Sequence, residues 1–255
     1  MSAAITWWGH ATATVEVGGV RLLTDPVLTG RVGHLRRRRG PAPRMDAVRG
    51  ADAVLISHLH ADHLHLPSLR LLPDDLPLIV PRGTVRFLTD MGRDDLAERA
   101  VETRPGEVTE VRGVGVRTVP AAHSGRRTPW SKHEGPALGY VIEGARRVWF
   151  AGDTDLFPEM GALGPLDAAL IPVGGWGPSL GPGHLDPARA AEAARRSRPD
   201  TAVPIHYGTL WPIGMERVRP HLFLGPECAF AAYAEAVAPG TAIRILEPGA
   251  SLPLA

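Results

Sequence analysis

The chain has 255 residues, 44% of them hydrophobic and 22% charged, and a formal net charge of +1. This composition excludes a disordered or fibrous chain, and the near-neutral balance lacks the basic field on which nucleic-acid binding depends, so no nucleic-acid partner is expected. A single cysteine, Cys228, excludes an intramolecular disulfide, argues against a thiolate metal cluster and fits a reducing, cytoplasmic setting.

The start, MSAAITWWGHATATVEVGG, lacks the basic residues and apolar core of a signal peptide. No stretch reaches the ~18 to 20 unbroken apolar residues of a membrane span, so no stable membrane insertion is expected. Glycine (29) and proline (25) are spread along the chain and punctuate elements rather than form a linker, which predicts one domain over 1–255.

In chain order, ATATVEV and VRLLTD read as two strands joined by a turn at Gly18 and Gly19. The run Arg36–Arg39 in GHLRRRRGPAPR reads as a loop, either solvated or forming a mouth that attracts an anionic substrate. AVLIS (53–57) is a buried strand, and PSLRLL and GTVRFLTDM are short helices. EVTEV, VGVRTVPAAH, ALGYVIE, RRVWFAGDTD and AALIPV (168–173) continue the strands. DPARAAEAARRSR is a helix capped by Asp186, with Pro187 at its first position. TAVPIHY is a strand, PECAFAAYAEAVA a helix and TAIRILE a closing strand. GGVRLLTDP and GARRVWFAGDTD echo each other, each running through a strand to an aspartate, as two similar facing halves would. The apolar WWG near the start and LWPIG (210–214) suit a lipid-accepting cleft, a subunit interface or plain core.

The concentrated signal is SHLHADH (57–63), which places His58, His60, Asp62 and His63 at the end of a buried strand in a chain with 11 histidines. In extended chain His58 and His60 point the same way, while Asp62 and His63 aim at a neighbouring point. Imidazole nitrogen and carboxylate oxygen are the usual ligands of zinc and similar divalent ions, and two adjacent points suggest two ions. Further donors stand at strand ends: His123, Asp153 and His206.

HLHADH resembles the His-x-His-x-Asp-His signature of the metallo-β-lactamase superfamily, and His123, Asp153 within AGDTD, and His206 follow that family's order of ligand motifs. The resemblance covers nearly the whole chain and implies an α/β fold, a four-layer αβ/βα sandwich with its metal site in a cleft at one edge. It also implies that His58, His60 and His123 hold one ion, that Asp62, His63 and His206 hold the other, and that Asp153 bridges them. WWGHATATVEVGGVRLLTDPVL and GPGHLDPARA are most similar to the branch containing N-acyl-phosphatidylethanolamine-hydrolysing phospholipase D and the ascorbate-phosphate lactonase-like proteins. His60 stands where flavodiiron oxygen reductases of this fold carry a glutamate, which argues for hydrolysis.

The activity this implies is a dinuclear metal-dependent hydrolase. A bridging hydroxide oriented by Asp62 would attack a phosphodiester or related phosphorus ester of a small-molecule or lipid-derived substrate. A lactonase or other carbonyl hydrolase is the alternative, and a non-catalytic metal-binding protein the more distant one. Zinc is the foremost metal, with manganese and iron accepted by the same donors. A tRNA-processing nuclease would add an RNA-binding arm and a basic face, neither of which is evident. Outside the signature, His184 in the loop VGGWGPSLGPGHLDP contacts the substrate or protonates a leaving group, or is simply polar loop. Asp25 is a partner for a ligating histidine or a turn cap, and His10 in WGHAT reaches the cleft or sits in a turn. Arg126, Arg127 and Trp130 are weaker site candidates; His34, His65, His133 and His221 read as structural or surface residues.

Overall fold

The computed structural model describes residues 3–177, 179–218, 220 and 223–254, so His221 lies outside the described residues. The first half of the chain builds β1 (Ala3–Gly9), β2 (Thr12–Val17), β3 (Val20–Thr24), the short β4 (Arg31–Val32) and β5 (Leu35–Arg37), and α1 (Arg44–Val48). It continues through β6 (Ala53–Leu55), α2 (Leu66–Leu69), β7 (Leu78–Pro81), α3 (Thr84–Asp90), α4 (Asp94–Ala97) and β8 (Ala100–Thr103). The second half builds β9 (Val108–Val111), β10 (Val114–Pro120), β11 (Leu138–Glu143), β12 (Arg147–Phe150), β13 (Leu166–Pro172), α5 (Pro187–Ser197) and β14 (Pro199–Ile205). It closes with β15 (Leu210–Pro212), α6 (Pro226–Val237), β16 (Ala242–Ile243) and β17 (Ser251–Leu254).

Among the described residues these strands form two seven-stranded sheets, ordered β17-β1-β2-β3-β6-β7-β8 and β16-β14-β13-β12-β11-β10-β9, and a small sheet β15-β5-β4. In each large sheet an antiparallel meander turns into a parallel run, at β3 in the first and at β12 in the second. The sequence echo falls on those two strands. In its own sheet β1 therefore runs with β3, β6 and β7, and β10 runs with β12, β13 and β14, so their C-terminal ends gather along one edge. That edge is where an open α/β sheet collects its chemistry.

The partition of apolar residues shows why this half of the sequence lacks simple alternation. Leu22, Ala53, Leu55 and Ile79 join the cluster that fills the space between the sheets. Their immediate neighbours Leu23, Val54, Leu78 and Val80 join a second cluster beneath the helices. Both faces of β3, β6 and β7 are buried, so the strands read as continuous apolar runs while the side chains still separate with period two. On the far side, Ala190, Ala191, Ala193 and Ala194 lay α5 against the second sheet. Asp186 caps α5 as expected, its carboxylate accepting from Arg189 N at 2.8 Å. Helices outside, sheets inside: this is the αβ/βα sandwich that the sequence resemblance implied.

Two expectations change. TAIRILE contributes only the two-residue β16, and the chain instead closes with β17, whose Ser251–Leu254 pairs antiparallel with β1. The arginine run is not an open loop. Arg36 and Arg37 lie in β5, and the buried Arg37 donates to Trp8 O (3.1 Å) and Val27 O (2.9 Å). Arg39 pairs with Glu227 and Glu247 and sits over the rings of Trp7 and Tyr207.

Trp7 resolves the reading of WWG towards core. It is fully buried, stacks on Tyr207 at 5.1 Å and donates from Nε1 to His10 O at 2.9 Å. Replacing it empties the largest kind of core volume and removes one of the two donors to the buried His10 carbonyl. Trp7→Ala is expected to cost ~3–5 kcal/mol, read as a lower urea midpoint with an unchanged slope.

Candidate metal centre

His58, His60, Asp62 and His63 sit on the turns that follow β6, and the other donors arrive at the same edge from separate strands. Asp25 follows β3, His123 comes three residues past β10, Asp153 three past β12, and His206 directly follows β14. His10 directly follows β1, and His184 lies in the loop before α5. His58, Asp62, His63, Asp153 and His206 are buried; His60, His123 and His184 are half-buried. Three of these residues, His10 (φ 54°), Asp25 (φ 33°) and His206 (φ 62°), hold the left-handed backbone that non-glycine residues rarely adopt. Each such conformation costs ~1–3 kcal/mol and persists only where its surroundings over-determine it.

Hydrogen bonds fix which ring nitrogen each histidine offers. His63 donates from Nδ1 to Asp25 Oδ2 (2.6 Å), His123 from Nδ1 to Gly183 O (2.7 Å) and His206 from Nδ1 to Gly174 O (3.0 Å). Ser57 Oγ donates to Asp25 Oδ2 at 2.5 Å and so accepts from His58 Nδ1 at 3.0 Å. In their neutral form all four rings turn an unprotonated Nε2 inward. His60 presents Nδ1, 2.8 Å from His58 Nε2 and 3.2 Å from His123 Nε2. His63 Nε2 lies 3.1 Å from His206 Nε2.

Asp153 stands between the two groups. Its Oδ1 is 3.2 Å from His206 Nε2, and its Oδ2 is 3.3 Å from His63 Nε2 and 3.6 Å from His184 Nε2. Asp62 Oδ2 is 2.9 Å from His10 Nε2, 3.6 Å from His63 Nε2 and 3.8 Å from His206 Nε2. The ligand atoms fall into overlapping groups: His58, His60, His123; His10, Asp62, His63, His206; His58, His63, Asp153; and His123, Asp153, His184.

These donors suit a divalent cation. Ring nitrogens at about 3 Å from one another need a shared proton or a cation between them, and among the described residues the buried Asp153 Oδ1 has no hydrogen-bond partner. Burial, reinforced by neighbouring histidines, pushes the His58 imidazole well below its usual value, and burial takes His123 down to about 4. Burial, with His206 alongside, takes His10 to about 3. Rings that stay neutral at physiological pH are ready to ligate. Burial opposes charge on Asp62 and Asp153, yet the surrounding histidines hold both carboxyls well below the usual range. Burial likewise disfavours a charged His63, but Asp153, Asp62 and Asp25 raise it well above its usual value. Three buried carboxylates need compensating positive charge here.

Of the remaining candidates, Arg127 is turned away from the cluster. It donates to Leu59 O (2.7 Å) and Leu64 O (2.9 Å), tying down the turns that carry the histidines. Arg126 pairs with Glu134, and Trp130 is fully at the surface. His65 bonds Ser68 and His133 packs on Phe87, the structural roles expected of them. Sequence reading missed Ser57, although it is the first letter of the quoted motif, because a serine at a strand end has no distinctive signature of its own. It also missed the carbonyls of Gly174 and Gly183, which no side-chain pattern can reveal.

A cavity of about 220 Å³ adjoins the cluster, lined by His60, Asp62, Asp153, Trp176, Leu180 and His184 among others. It shares Gly175, Gly177 and Leu180 with a larger apolar cavity of about 360 Å³ that reaches Val173, Leu224 and Ala229.

Comparison with known proteins agrees with this geometry. Residues 20–207 match the family described as Beta-lactamase superfamily domain. The chain is 31% identical over 230 residues to N-acyl-phosphatidylethanolamine-hydrolyzing phospholipase D 1 of Caenorhabditis elegans, covering 82% of this chain and 64% of that one. It thus spans somewhat under two thirds of that relative's length. It is also 31% identical to a UPF0173 metal-dependent hydrolase of Methanopyrus kandleri, covering 97% of this chain and 98% of the relative. The structure superposes on Igni18, a metallo hydrolase from Ignicoccus hospitalis, with a TM-score of 0.74 at 25% identity, covering 100% of this chain and 99% of the other. The fold and donor cluster define a metal-dependent hydrolase. The chain belongs to the β-lactamase superfamily.

Asp25 offers a direct test of the outer hydrogen bonds. Asp25→Asn keeps the shape but weakens the acceptor for His63 Nδ1 and Ser57. Metal affinity is expected to fall ~10–100-fold, measured by chelator competition, with the circular dichroism spectrum unchanged.

Proposed function

We propose that the chain is a dinuclear hydrolase of a phosphorus ester, with zinc the foremost metal. His58, His60 and His123 would hold one ion, Asp62, His63 and His206 the other, with Asp153 shared. The observation that carries this reading is Asp153: its carboxylate groups both with His58 and His63 and with His123 and His184, within ligand reach of both histidine sets. The all-His/Asp donor set and the lack of a thiolate suit zinc, manganese or iron.

Bound divalent ions supply two things, acidification of a water molecule and neutralisation of charge building on the ester oxygens. The chain's own groups do the rest. Asp62 orients the attacking water by accepting its hydrogen bond, so the lone pair faces the ester. His184 is half-buried at the cavity wall; burial opposes its charge, but Asp153 beside its Nε2 raises its pKa. It is placed at the cavity wall to hand a proton to a leaving oxygen. Trp176 and Leu180 exclude water from one wall of the cavity.

The phosphorus-ester reading draws support from the relative named as an N-acyl-phosphatidylethanolamine-hydrolyzing phospholipase D. A lipid-derived or otherwise apolar-armed substrate draws support from the 360 Å³ cavity that shares a wall with the polar one.

The test is a metal count per chain followed by a chromogenic panel of a phosphodiester, a phosphomonoester, a lactone and a β-lactam. About two ions per chain, with diester turnover abolished by chelation and restored by zinc, are expected. Asp62→Ala should lower kcat/KM for the diester by ~10²–10⁴-fold. Turnover of the lactone or β-lactam alone would move the substrate class to carbonyl esters or amides; metal without turnover of any would leave a binding protein.

The apolar cavity gives a separate expectation. Ala229→Trp, which fills it, should raise KM for an octyl-armed diester about tenfold, the equivalent of roughly two buried methylenes, and leave KM for a methyl diester unchanged.

A further inference from the structure

His10 is not in the signature motif, yet it approaches Asp62 more closely than either histidine expected to share an ion with it: 2.9 Å from Oδ2, against 3.6 Å to His63 and 3.8 Å to His206. Only the first of these is a hydrogen-bond distance. The ring that makes it is held from several sides. The His10 backbone N–H donates to Thr209 Oγ1 at 2.8 Å, and its carbonyl accepts both from Trp7 Nε1 and from the backbone N–H of His206, each at 2.9 Å. Its ring lies against the His206 ring with centroids 4.1 Å apart. The residue is almost fully buried and its backbone is left-handed, at φ 54°. A glycine would relieve that strain, so the side chain itself is what the position retains.

We infer that His10 is a positioning residue for Asp62: it donates Nε2–H to Oδ2, fixing the carboxylate's rotation, while its carbonyl fixes the backbone of His206. This rests on the reading of the cluster as a metal centre. A carboxylate on a short side chain can turn about χ2, and a hydrogen bond to Oδ2, the oxygen that also faces His63 and His206, stops it turning. Here a histidine supplies that hold from the end of β1, while Asp62 itself lies in the turns after β6. The same residue grips a donor from the second sheet through its backbone. The alternative within the same geometry is that His10 Nε2 is itself a ligand, since its Nε2 falls within the group formed by Asp62, His63 and His206. The two differ in where the proton sits. A positioning His10 carries it on Nε2; a ligand through Nε2 carries it on Nδ1.

The experiment uses the full chain, zinc-loaded, as wild type, His10→Ala and His10→Gln. Long-range ¹H–¹⁵N spectra should show the wild-type His10 resonance, assigned by its loss in both variants, as the Nε2–H tautomer. Chelator competition should show the weaker of two binding steps falling ~10–100-fold in His10→Ala, with the tighter step unchanged. His10→Gln, which keeps an N–H near the same place, should recover affinity to within about threefold of wild type. Metal-free melting curves of the two variants should coincide, separating positioning from packing. An Nδ1–H tautomer, an affinity in His10→Ala within twofold of wild type, or a glutamine variant as weak as the alanine one would each overturn the inference. A wild-type chain that takes up no metal would overturn the parent reading and this one with it, a result distinct from the other three.

Discussion

Three aspartates, Asp25, Asp62 and Asp153, are buried at one sheet edge with no more than 5% of their surface exposed, and the rest of the structure around that edge is organised to make this tolerable. An unpaired buried carboxylate costs several kcal/mol, and folding of a domain this size leaves only ~5–15 kcal/mol to lose. The chain meets the cost in two ways. Asp25 is satisfied within the protein, accepting from Ser57 N, Ser57 Oγ and His63 Nδ1. Asp62 has one such hold, from His10. Asp153 Oδ1 has none among the described residues. The gradient runs from a carboxylate fully used by protein donors to one with an oxygen they leave unused, and histidine ring nitrogens converge on the same space.

The two halves of the molecule explain why the aspartates differ. Asp25 follows β3 and Asp153 follows β12, the strands at which each sheet changes from antiparallel to parallel. Each stands just beyond the strand at which its own sheet turns parallel. In the first half the next parallel strand, β6, leads to Ser57, whose N–H and Oγ both donate to Asp25 while the Oγ accepts from His58 Nδ1. In the second, the next strand, β13, ends at Pro172 and leads to Gly174, whose carbonyl is spent on His206. Among the described residues no comparable donor reaches Asp153 Oδ1. One copy of the repeated strand-to-aspartate unit has thus become the support for a histidine, and the other faces it across the seam.

The sequence made this edge unusually legible because its donors are rare residue types placed at strand ends. His58, His60, Asp62 and His63 announce themselves by density, and His123, Asp153 and His206 by position after apolar runs. Strands whose faces are both buried were legible as runs, AVLIS and AALIPV among them. What did not show in the sequence depends on partners far along the chain. β1 and β17 are adjacent only because the termini meet, as in the pairing of Ile5 with Leu252, so neither strand has a local signal strong enough to mark it. TAIRILE has a better β pattern than Ser251–Leu254, yet tertiary pairing left it with two strand residues. His10 and Asp25 were ambiguous for a related reason: a turn cap and a buried hydrogen-bond partner look alike until the second sheet is in place.

The arginines show how a residue type can mislead when counted as charge. Read as a run, Arg36–Arg39 suggested a solvated loop or an electropositive mouth; read as donors, two of its members and Arg127 are scaffolding for the site. Arg37 satisfies Trp8 O and Val27 O, on either side of His10 and Asp25. Arg127 satisfies Leu59 O and Leu64 O, the two ends of the turns that carry His60, Asp62 and His63. Arg39 covers Trp7 and Tyr207, the latter adjacent to His206. Irregular chain at a sheet edge leaves carbonyls without ladder partners, and a guanidinium with five fixed donors can bridge two of them at once. Lysine, a point charge on a flexible stem, would hold one. Burial pulls the Arg37 guanidinium down to about 10 and lowers Arg127, the direction expected of cations taken out of water to serve as braces. The positive charge near this site therefore acts first on the backbone: it fixes the turns, the turns fix the histidines, and the histidines leave their lone pairs where a cation can take them.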